Sequence, residues 1–99
     1  MKYYILKGRQ VVRAASFVVW AKFFENADRV VKQDTVGKVF ISTVFLGIDH
    51  NFGDEGPPLI FETMIFGWME EYQERCSTYD EAEAMHQRAV DMVRSTMAA

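Results

Sequence analysis

Two segments of the chain repeat their apolar residues at helical spacing. In SFVVWAKFFENAD (residues 16–28), apolar positions recur every three or four residues and cover more than half of the circumference, with Ser16 as N-cap. This pattern predicts a helix that is largely buried or packed on two sides. Further along, Thr78 and Glu81 fit a capping box, and one apolar helical face follows. That face consists of Ala82, Met85, Ala89, Val93 and Met97.

Other segments carry the β-branched and aromatic residues that are typical of strands. Residues 29–36 and 37–48 predict an antiparallel hairpin with Gly37 at its turn. The second of these strands is apolar on both faces, which predicts a central strand covered on both sides. Residues 59–67 predict a third strand, and the alternation in YQERC extends the sheet through residues 68–77.

These elements predict an α+β fold. We expect an antiparallel meander sheet of about four strands, with one helix before it and a C-terminal helix after it, packed on the sheet. A short strand in residues 2–8 ends at Gly8. With 99 residues and no linker, residues 1–99 are predicted to form a single α+β domain.

Composition narrows the class of protein. The chain is 49% apolar and 25% charged, which is typical of a globular domain rather than a disordered one. Cys76 is the single cysteine, so we expect a reducing, cytosolic compartment. Lysine and arginine interrupt the apolar residues of MKYYILKGRQVVR, which argues against a secretory signal. No apolar run approaches the roughly 20 residues of a membrane span, so no membrane partner is predicted.

The net charge of −3 divides unevenly between the halves of the chain. Residues 1–49 carry eight Lys/Arg and four acids (+4), and residues 50–99 carry three Arg and ten acids (−7). Such a split indicates an acidic face for a basic partner, two halves that attract each other, or only a solvated surface. Because stacking on nucleic acid also needs a positive groove, a nucleic-acid partner is disfavoured for this acidic chain.

The segment GIDHNFGDEGPP (residues 47–58) is the most unusual part of the sequence. It begins like a calcium loop, but Gly53 and Asp54 occupy the fifth and sixth positions, and Ile60 stands where a bidentate Glu is needed. No H-x-x-x-H or C-x-x-C pair is present, so no metal site is predicted, and phosphate-binding glycine motifs are also missing. We predict no cofactor. Gly47, Gly53 and Gly56 are expected to supply positive φ angles.

Four further residues have both a structural and a functional interpretation. Asp49, His50 and Glu62 fit general acid–base chemistry, but no nucleophile accompanies them. Glu62 lies on an apolar strand face, where Arg29, Arg75 or Lys38 is expected to pair with it, or where it contacts a ligand. Trp68 follows a strand-ending glycine, so we expect it to be exposed as an interface anchor.

For two residues outside the loop, the sequence favours a structural role. His86 sits beside the apolar face of the C-terminal helix, which predicts a structural role. Cys76 precedes a helix N-terminus, which lowers thiol pKa values, but a small buried residue at a strand end is the favoured interpretation.

The loop is longer than a hairpin connection of two to five residues needs to be. We therefore predict a recognition surface here, with His50 as its first candidate. The predicted binding residues are Asp49, His50, Asn51, Asp54, Glu55, Glu62 and Trp68.

The chain resembles a widespread family of small uncharacterised proteins of tailed phages and prophages. The resemblance rests on YYILKG, WAKFFENADR, STVFLGIDH…PPLIFETMIFG and ERCSTYDEAEAMH, which together span most of the chain. It implies a phage-encoded protein that works in the host bacterial cytoplasm. Small accessory phage proteins often bind and block a host factor, so the implied function rests on genomic setting.

Three functional hypotheses follow. The leading one is a non-catalytic phage protein that binds a host protein, such as a component of a defence system (an anti-CRISPR or other anti-defence role), or that sequesters a small ligand such as a signalling nucleotide. The second is a small enzyme that uses Asp49, His50 and Glu62. The third is a structural homo-oligomer, for example a homodimer, joined through an edge strand in residues 1–7 or 70–76.

Overall fold

The structure is a computed structural model that describes residues 2–53 and 55–97. Its elements, in chain order, are β1 (Tyr4–Lys7), β2 (Gln10–Arg13), α1 (Phe17–Asn26), β3 (Val30–Val36), β4 (Val39–Phe45), β5 (Phe61–Phe66), β6 (Tyr72–Cys76) and α2 (Tyr79–Met97). The α+β fold is confirmed. β3 to β6 form an antiparallel meander in sequence order, α1 precedes it, and α2 packs on it. The hairpin turn at Gly37 is confirmed, with a φ of 61°.

The core lies between α2 and one face of the four-stranded sheet. Residues of β4 and β5 alternate in direction, so every second side chain meets the helix. One cluster joins Ile41 and Ile65 to Ala89 and Val93, and a second joins Phe45 and Phe61 to Ala82. The apolar helical face predicted from the sequence is confirmed at its first four positions, whereas Met97 is 47% exposed.

Both predicted helix starts are confirmed. The Ser16 hydroxyl accepts from the Val19 amide at 3.2 Å. Thr78 Oγ1 accepts from the Glu81 amide at 3.1 Å, and Glu81 Oε1 accepts from the Thr78 amide at 3.0 Å, as a capping box requires. Among the described residues, no helix is both long and apolar enough to span a membrane.

The β1–β2 hairpin was only half predicted, since the strand at residues 10–13 was missed. This hairpin forms a two-stranded sheet of its own. It is joined to the end of β4 where the Tyr4 amide donates to the Gly47 carbonyl at 2.8 Å. At its turn, Arg9 forms ion pairs with Asp80, at 2.6 Å, and with Glu83 in the first turns of α2.

Two predictions of burial were wrong. No residue of α1 is buried, and Phe17 and Val18 are each 60% exposed, because the helix is packed on one side only. β4 is covered on one side, not on both. The face of the four-stranded sheet away from α2 carries Phe40, Val44, Met64 and Phe66 and is called the outer face below. Phe40 is 36% exposed and Phe66 47%, and no element of the described chain packs over them.

Candidate functional site

The loop between β4 and β5 is anchored by backbone hydrogen bonds that continue the ladder beyond the strands. The Leu46 amide donates to the Ile60 carbonyl at 2.7 Å, and the His50 amide donates to the Leu59 carbonyl at 2.9 Å. The Tyr3–Ile48 bridge joins the same loop to the N-terminal segment. These hydrogen bonds fix the base of the loop, whereas its tip makes no ladder hydrogen bond.

Asp49 and Asn51 use their polar side chains to build this loop. Asp49 Oδ1 accepts from the amides of Asn51, at 2.8 Å, and Leu59, at 3.0 Å. Asn51 Nδ2 donates to the carbonyls of Glu55 and Pro57, the latter at 3.2 Å. Both residues tie the loop to itself, which is the role that short polar side chains commonly have in turns. Their place in a binding site therefore stays a prediction, and any contact with a ligand would compete with these bonds.

His50 has one ring nitrogen that the loop does not use. Its Nδ1–H donates to the Ile48 carbonyl at 2.8 Å, and Nε2 has no partner in residues 2–53 and 55–97. The ring lies 5.9 Å from the ring of Phe52, whose side chain is 77% exposed. Glu55 is exposed, and Asp54 lies outside the described residues. The loop therefore presents an imidazole beside a solvent-facing aromatic ring.

Gly47 sets the position of α1 against the loop. Its φ is +75°, and its carbonyl accepts from Trp20 Nε1 at 3.0 Å. A Cβ at this position would lie 2.3 Å from Cε2 of Phe24, so the close approach requires glycine. The expected positive φ angles are found at Gly47 and Gly56 but not at Gly53, so the prediction was wrong for that residue.

The exposed end of α1 and the loop belong to the same end of the molecule. The ring of Tyr3 contacts Phe17, at a centroid distance of 5.6 Å, and the backbone of Tyr3 bridges Ile48, two residues before His50. We call the set of Phe17, Val18, His50 and Phe52 the loop–α1 surface. Three of its four members are large apolar side chains with at least 60% exposure. Sequence reasoning found His50 but missed the other three, and it missed Phe17 and Val18 because it expected α1 to be buried.

Glu62 is held by neighbours on the outer face. Its Oε2 accepts from Arg75 Nε at 2.9 Å and from Gln73 Nε2 at 2.7 Å, and its side chain is 11% exposed. Of the three expected partners, Arg75 forms the pair. The His50 amide bonds the Leu59 carbonyl. Leu59 lies three residues before Glu62, which corresponds to roughly 10 Å along the strand at about 3.3 Å per residue. The structure thus holds Glu62 in a network of its own and does not join it to Asp49 or His50.

A buried polar network under α2 was missed by sequence reasoning. His86 is fully buried, with Nε2 2.7 Å from Asp34 Oδ2 and Nδ1 2.7 Å from Thr43 Oγ1, which in turn contacts Thr63 Oγ1 at 2.5 Å. Because a carboxylate only accepts, Nε2–H donates to Asp34, and Nδ1 shares the second hydrogen bond of the ring with the Thr43 hydroxyl. The order carboxylate, imidazole, hydroxyl resembles a catalytic relay. However, Thr43 and Thr63 have no exposed surface, so no substrate reaches them, and the structural interpretation of His86 is favoured.

Cys76 lies at the end of β6, half-buried against the second core cluster. Burial, with a smaller contribution from the Glu81 carboxylate, raises the pKa of its thiol to about 11. This direction is opposite to the one that a helix N-terminus alone would produce. Cys76 is therefore a poor nucleophile near neutral pH.

Trp68 lies over the C-terminal part of α2 and is half-buried, so the expectation of an exposed anchor is met only in part. It packs against the first core cluster and donates from Nε1 to Thr96 Oγ1 at 3.4 Å. It also lines an open groove at the β5–β6 turn with Met69 and Tyr72. Burial and the neighbouring Glu74 carboxylate raise the pKa of Tyr72 to about 12, so its hydroxyl stays protonated at neutral pH. Contacts with α2 thus hold Trp68 and Tyr72 in the wall of the groove.

Within the described part of the chain, no group of three or more His, Cys, Asp or Glu side chains is arranged to hold a metal ion. Comparison with known proteins gave no match: no protein-family model matches the chain, and neither does any curated protein or solved structure. These comparisons therefore assign no function to the chain.

Proposed function

We propose that this chain is a small, non-catalytic, phage-encoded protein that binds a host protein in the bacterial cytoplasm through the loop–α1 surface. A component of a host defence system is the target that the resemblance to phage proteins suggests. The observation that supports the proposal best is the exposure of Phe52, at 77%, on a loop whose base is held by the β4–β5 ladder.

The physical argument concerns fixed apolar surface. Exposure of large apolar side chains to water is unfavourable, so their burial against a partner lowers the free energy. Aromatic anchors contribute much of the affinity at protein interfaces. Asp49 and Asn51 hold the loop that carries Phe52, and the capped first turn of α1 holds Phe17. Because these contacts fix the backbone that carries both anchors, association costs less conformational entropy than it would for a flexible segment. His50 adds one unpartnered ring nitrogen beside Phe52.

The test is affinity capture from a bacterial lysate with three baits. The wild-type chain is compared with a Phe17→Ser/Phe52→Ser double variant and with Met69→Ser as the matched control. Met69 is 73% exposed and lies on the β5–β6 turn, away from the loop–α1 surface. We expect one host protein to be retained by the wild type and the control and lost with the double variant. Retention of the same protein by all three baits, or by none, contradicts the proposal.

A second assay on the same three proteins tests the alternative function, which is sequestration of a small ligand. A thermal-shift screen of signalling nucleotides measures whether the melting temperature rises on binding, as linkage requires for any ligand that prefers the folded state. A shift with a nucleotide and no captured protein replaces the host-protein proposal with sequestration.

A further inference from the structure

We propose that the groove at the β5–β6 turn binds a basic peptide segment of a partner protein. A lysine or arginine side chain of that segment lies against the rings of Trp68 and Tyr72. Its charge meets the carboxylates of Glu70 and Glu71. Because β5 is six residues long, this groove lies at the opposite end of the strand from the β4–β5 loop, roughly 20 Å away at about 3.3 Å per residue. It is therefore separate from the loop–α1 surface and independent of the function proposed above.

The first observation is that contacts within the chain hold the walls of the groove. The groove is open and has a volume of about 680 Å³. Trp68 packs on the first core cluster and donates to Thr96 Oγ1 of α2 at 3.4 Å. Tyr72 packs on the same cluster, and its hydroxyl donates to Glu74 Oε2 at 2.9 Å. Because both rings are fixed before a ligand enters, binding here costs little side-chain entropy.

The second observation concerns the hydrogen-bonding groups of the walls. Each side-chain donor of the walls already has an acceptor within the chain. These donors are Trp68 Nε1, the Tyr72 hydroxyl and Gln73 Nε2, and their acceptors are Thr96, Glu74 and Glu62. The groups that are left for a ligand are carboxylates, which only accept, and aromatic rings, whose faces carry partial negative charge. The groove therefore suits a ligand that donates hydrogen bonds or carries a positive charge.

The third observation is the charge of the groove. Glu70 and Glu71 are exposed and line it, and neither forms an ion pair within residues 2–53 and 55–97. The lining residues, 64–73, are all described, and they include no lysine or arginine that could neutralise these two carboxylates. Residues 50–99, to which the groove belongs, carry three Arg and ten acids (−7), so the wider surface also favours a cation. Charge complementarity thus selects a basic partner over a neutral or an acidic one.

The fourth observation is the pair of aromatic rings in the wall. The centroids of Trp68 and Tyr72 are 6.5 Å apart, and the ring planes meet at 73°. A cation over the face of such a ring is attracted by it, and the alkyl stem of a lysine or arginine packs on the same apolar surface. These two side chains therefore combine the features that the groove can recognise. A bare metal ion lacks the apolar stem, and a neutral side chain lacks the charge.

The position of the groove favours a peptide over a free organic cation. Sites for small molecules enclose most of the ligand surface, whereas this groove is open to solvent. Tyr72 and Gln73 in its wall are the first residues of β6, an edge strand with which no other strand of the described chain pairs on its outer side. Such an edge offers backbone hydrogen bonds to an extended peptide, and a free cation cannot use them. The occupant is therefore a peptide segment.

The test is a peptide titration of the isotope-labelled chain, followed by NMR. The probe is the end-capped peptide Gly-Lys-Arg-Lys-Gly, and its control carries glutamine at the basic positions. We expect the basic peptide to shift the indole N–H signal of Trp68 and the amide signals of residues 67–73. The indole signal of Trp20, which donates to the Gly47 carbonyl at the other end of the molecule, should stay in place. The glutamine peptide should shift neither indole signal.

The variant Glu70→Gln/Glu71→Gln removes both carboxylates from exposed positions, so it leaves the core unchanged. We expect it to weaken binding of the basic peptide about tenfold, because two exposed charge pairs are lost. Glu25→Gln/Asp91→Asn is the matched control, since both residues are exposed and neither lines the groove. It removes the same number of charges and should change the affinity by less than about twofold. Added salt should weaken binding to the wild type.

Three outcomes overturn the proposal. The first is a Trp68 indole signal that does not move at roughly 1 mM basic peptide. The second is an equal loss of affinity in the two double variants, because the net charge of the chain and not the groove then governs binding. The third concerns spermidine, a free organic cation. If spermidine shifts the Trp68 signal at concentrations as low as the peptide does, the groove binds free cations and not a peptide segment.

Discussion

His86 on α2 donates to Asp34 on β3 across a separation of 52 residues, with Nε2 and Oδ2 2.7 Å apart. The other nitrogen of the same ring bonds Thr43 on β4, so one side chain fixes the C-terminal helix over two neighbouring strands. Its removal tests how far α2 depends on this polar contact.

We expect His86→Ala to lower the free energy of unfolding by about 3 kcal/mol. The change leaves a cavity and also deprives the buried Thr43 hydroxyl of a partner. Gln87→Ala, at an exposed position on the same helix, is the control and should cost less than about 0.5 kcal/mol. Urea denaturation of the three proteins gives the comparison. Equal losses for the two variants would mean that the network contributes no stability.

Gly47→Ala should destabilise the chain by at least about 3 kcal/mol, because the new methyl group overlaps the Phe24 ring and the residue keeps a positive φ. Gly8→Ala separates the two causes. Gly8 also has a positive φ, of 61°, but no atom lies within 4 Å of its added Cβ. It should cost only about 1 kcal/mol. Thermal unfolding measures both values, and a similar cost for both would contradict the close packing of α1 on Gly47.

The Cys76 thiol should react slowly with a disulfide reagent in the folded protein. At pH 8, a pKa of about 11 leaves roughly two hundredfold less thiolate than an ordinary cysteine has. A more basic thiolate is also a stronger nucleophile, which compensates for about tenfold of the loss in thiolate concentration. The native rate should therefore be roughly twentyfold below the rate measured in denaturant. Equal rates in the two conditions would show that Cys76 is not shielded by the fold.

The Arg88–Glu74 pair should make stability depend on pH in a defined direction. The Arg88 guanidinium, at 2.7 Å, holds the pKa of the Glu74 carboxyl below its ordinary value, and the Tyr72 hydroxyl adds to the effect. A lowered pKa means that the contribution is present above the unfolded value of about 4.3 and is lost as the pH falls through the folded value.

Because both partners are partly exposed, Arg88→Gln should cost only about 0.5 kcal/mol at neutral pH. This difference from the wild type should shrink as the pH falls below about 4. Arg94→Gln is the control, since Arg94 forms no ion pair within residues 2–53 and 55–97. If the difference in unfolding free energy between Arg88→Gln and the wild type stays constant across this pH range in urea titrations, the Arg88–Glu74 pair is not its cause.

The sequence predicts those features that depend on residues close together in the chain. The capping box needs only Thr78 and Glu81, three positions apart, and the hairpin turn needs only Gly37. The polar network of His86 was missed because its partners lie 43 and 52 residues away, and no local pattern selects them. The exposure of α1 was missed for another reason. An apolar circumference shows that a helix has surface to cover, but not whether this chain or another molecule covers it.

The loop shows the same limit. Its length and its polar residues indicated a recognition site, yet Asp49 and Asn51 are used to bind backbone groups within the loop. Whether a polar side chain faces a ligand or its own backbone depends on coordinates and not on residue type. Phe52 was not predicted as a binding residue, because a single aromatic residue in a polar loop has no periodic pattern around it.

The ion pairs of Arg9 with Asp80 and Glu83 join residues more than 70 positions apart, and they have a consequence for synthesis on the ribosome. Among the described elements, the β1–β2 hairpin is synthesised before all others and α2 after all others. The buried cluster against which Leu6 and Val11 pack is therefore completed only when Ala82 of α2 emerges, after its earlier members in the sheet. Until α2 is made, the hairpin lacks the ion pairs that hold its turn against that helix, and Leu6 and Val11 are only partly covered.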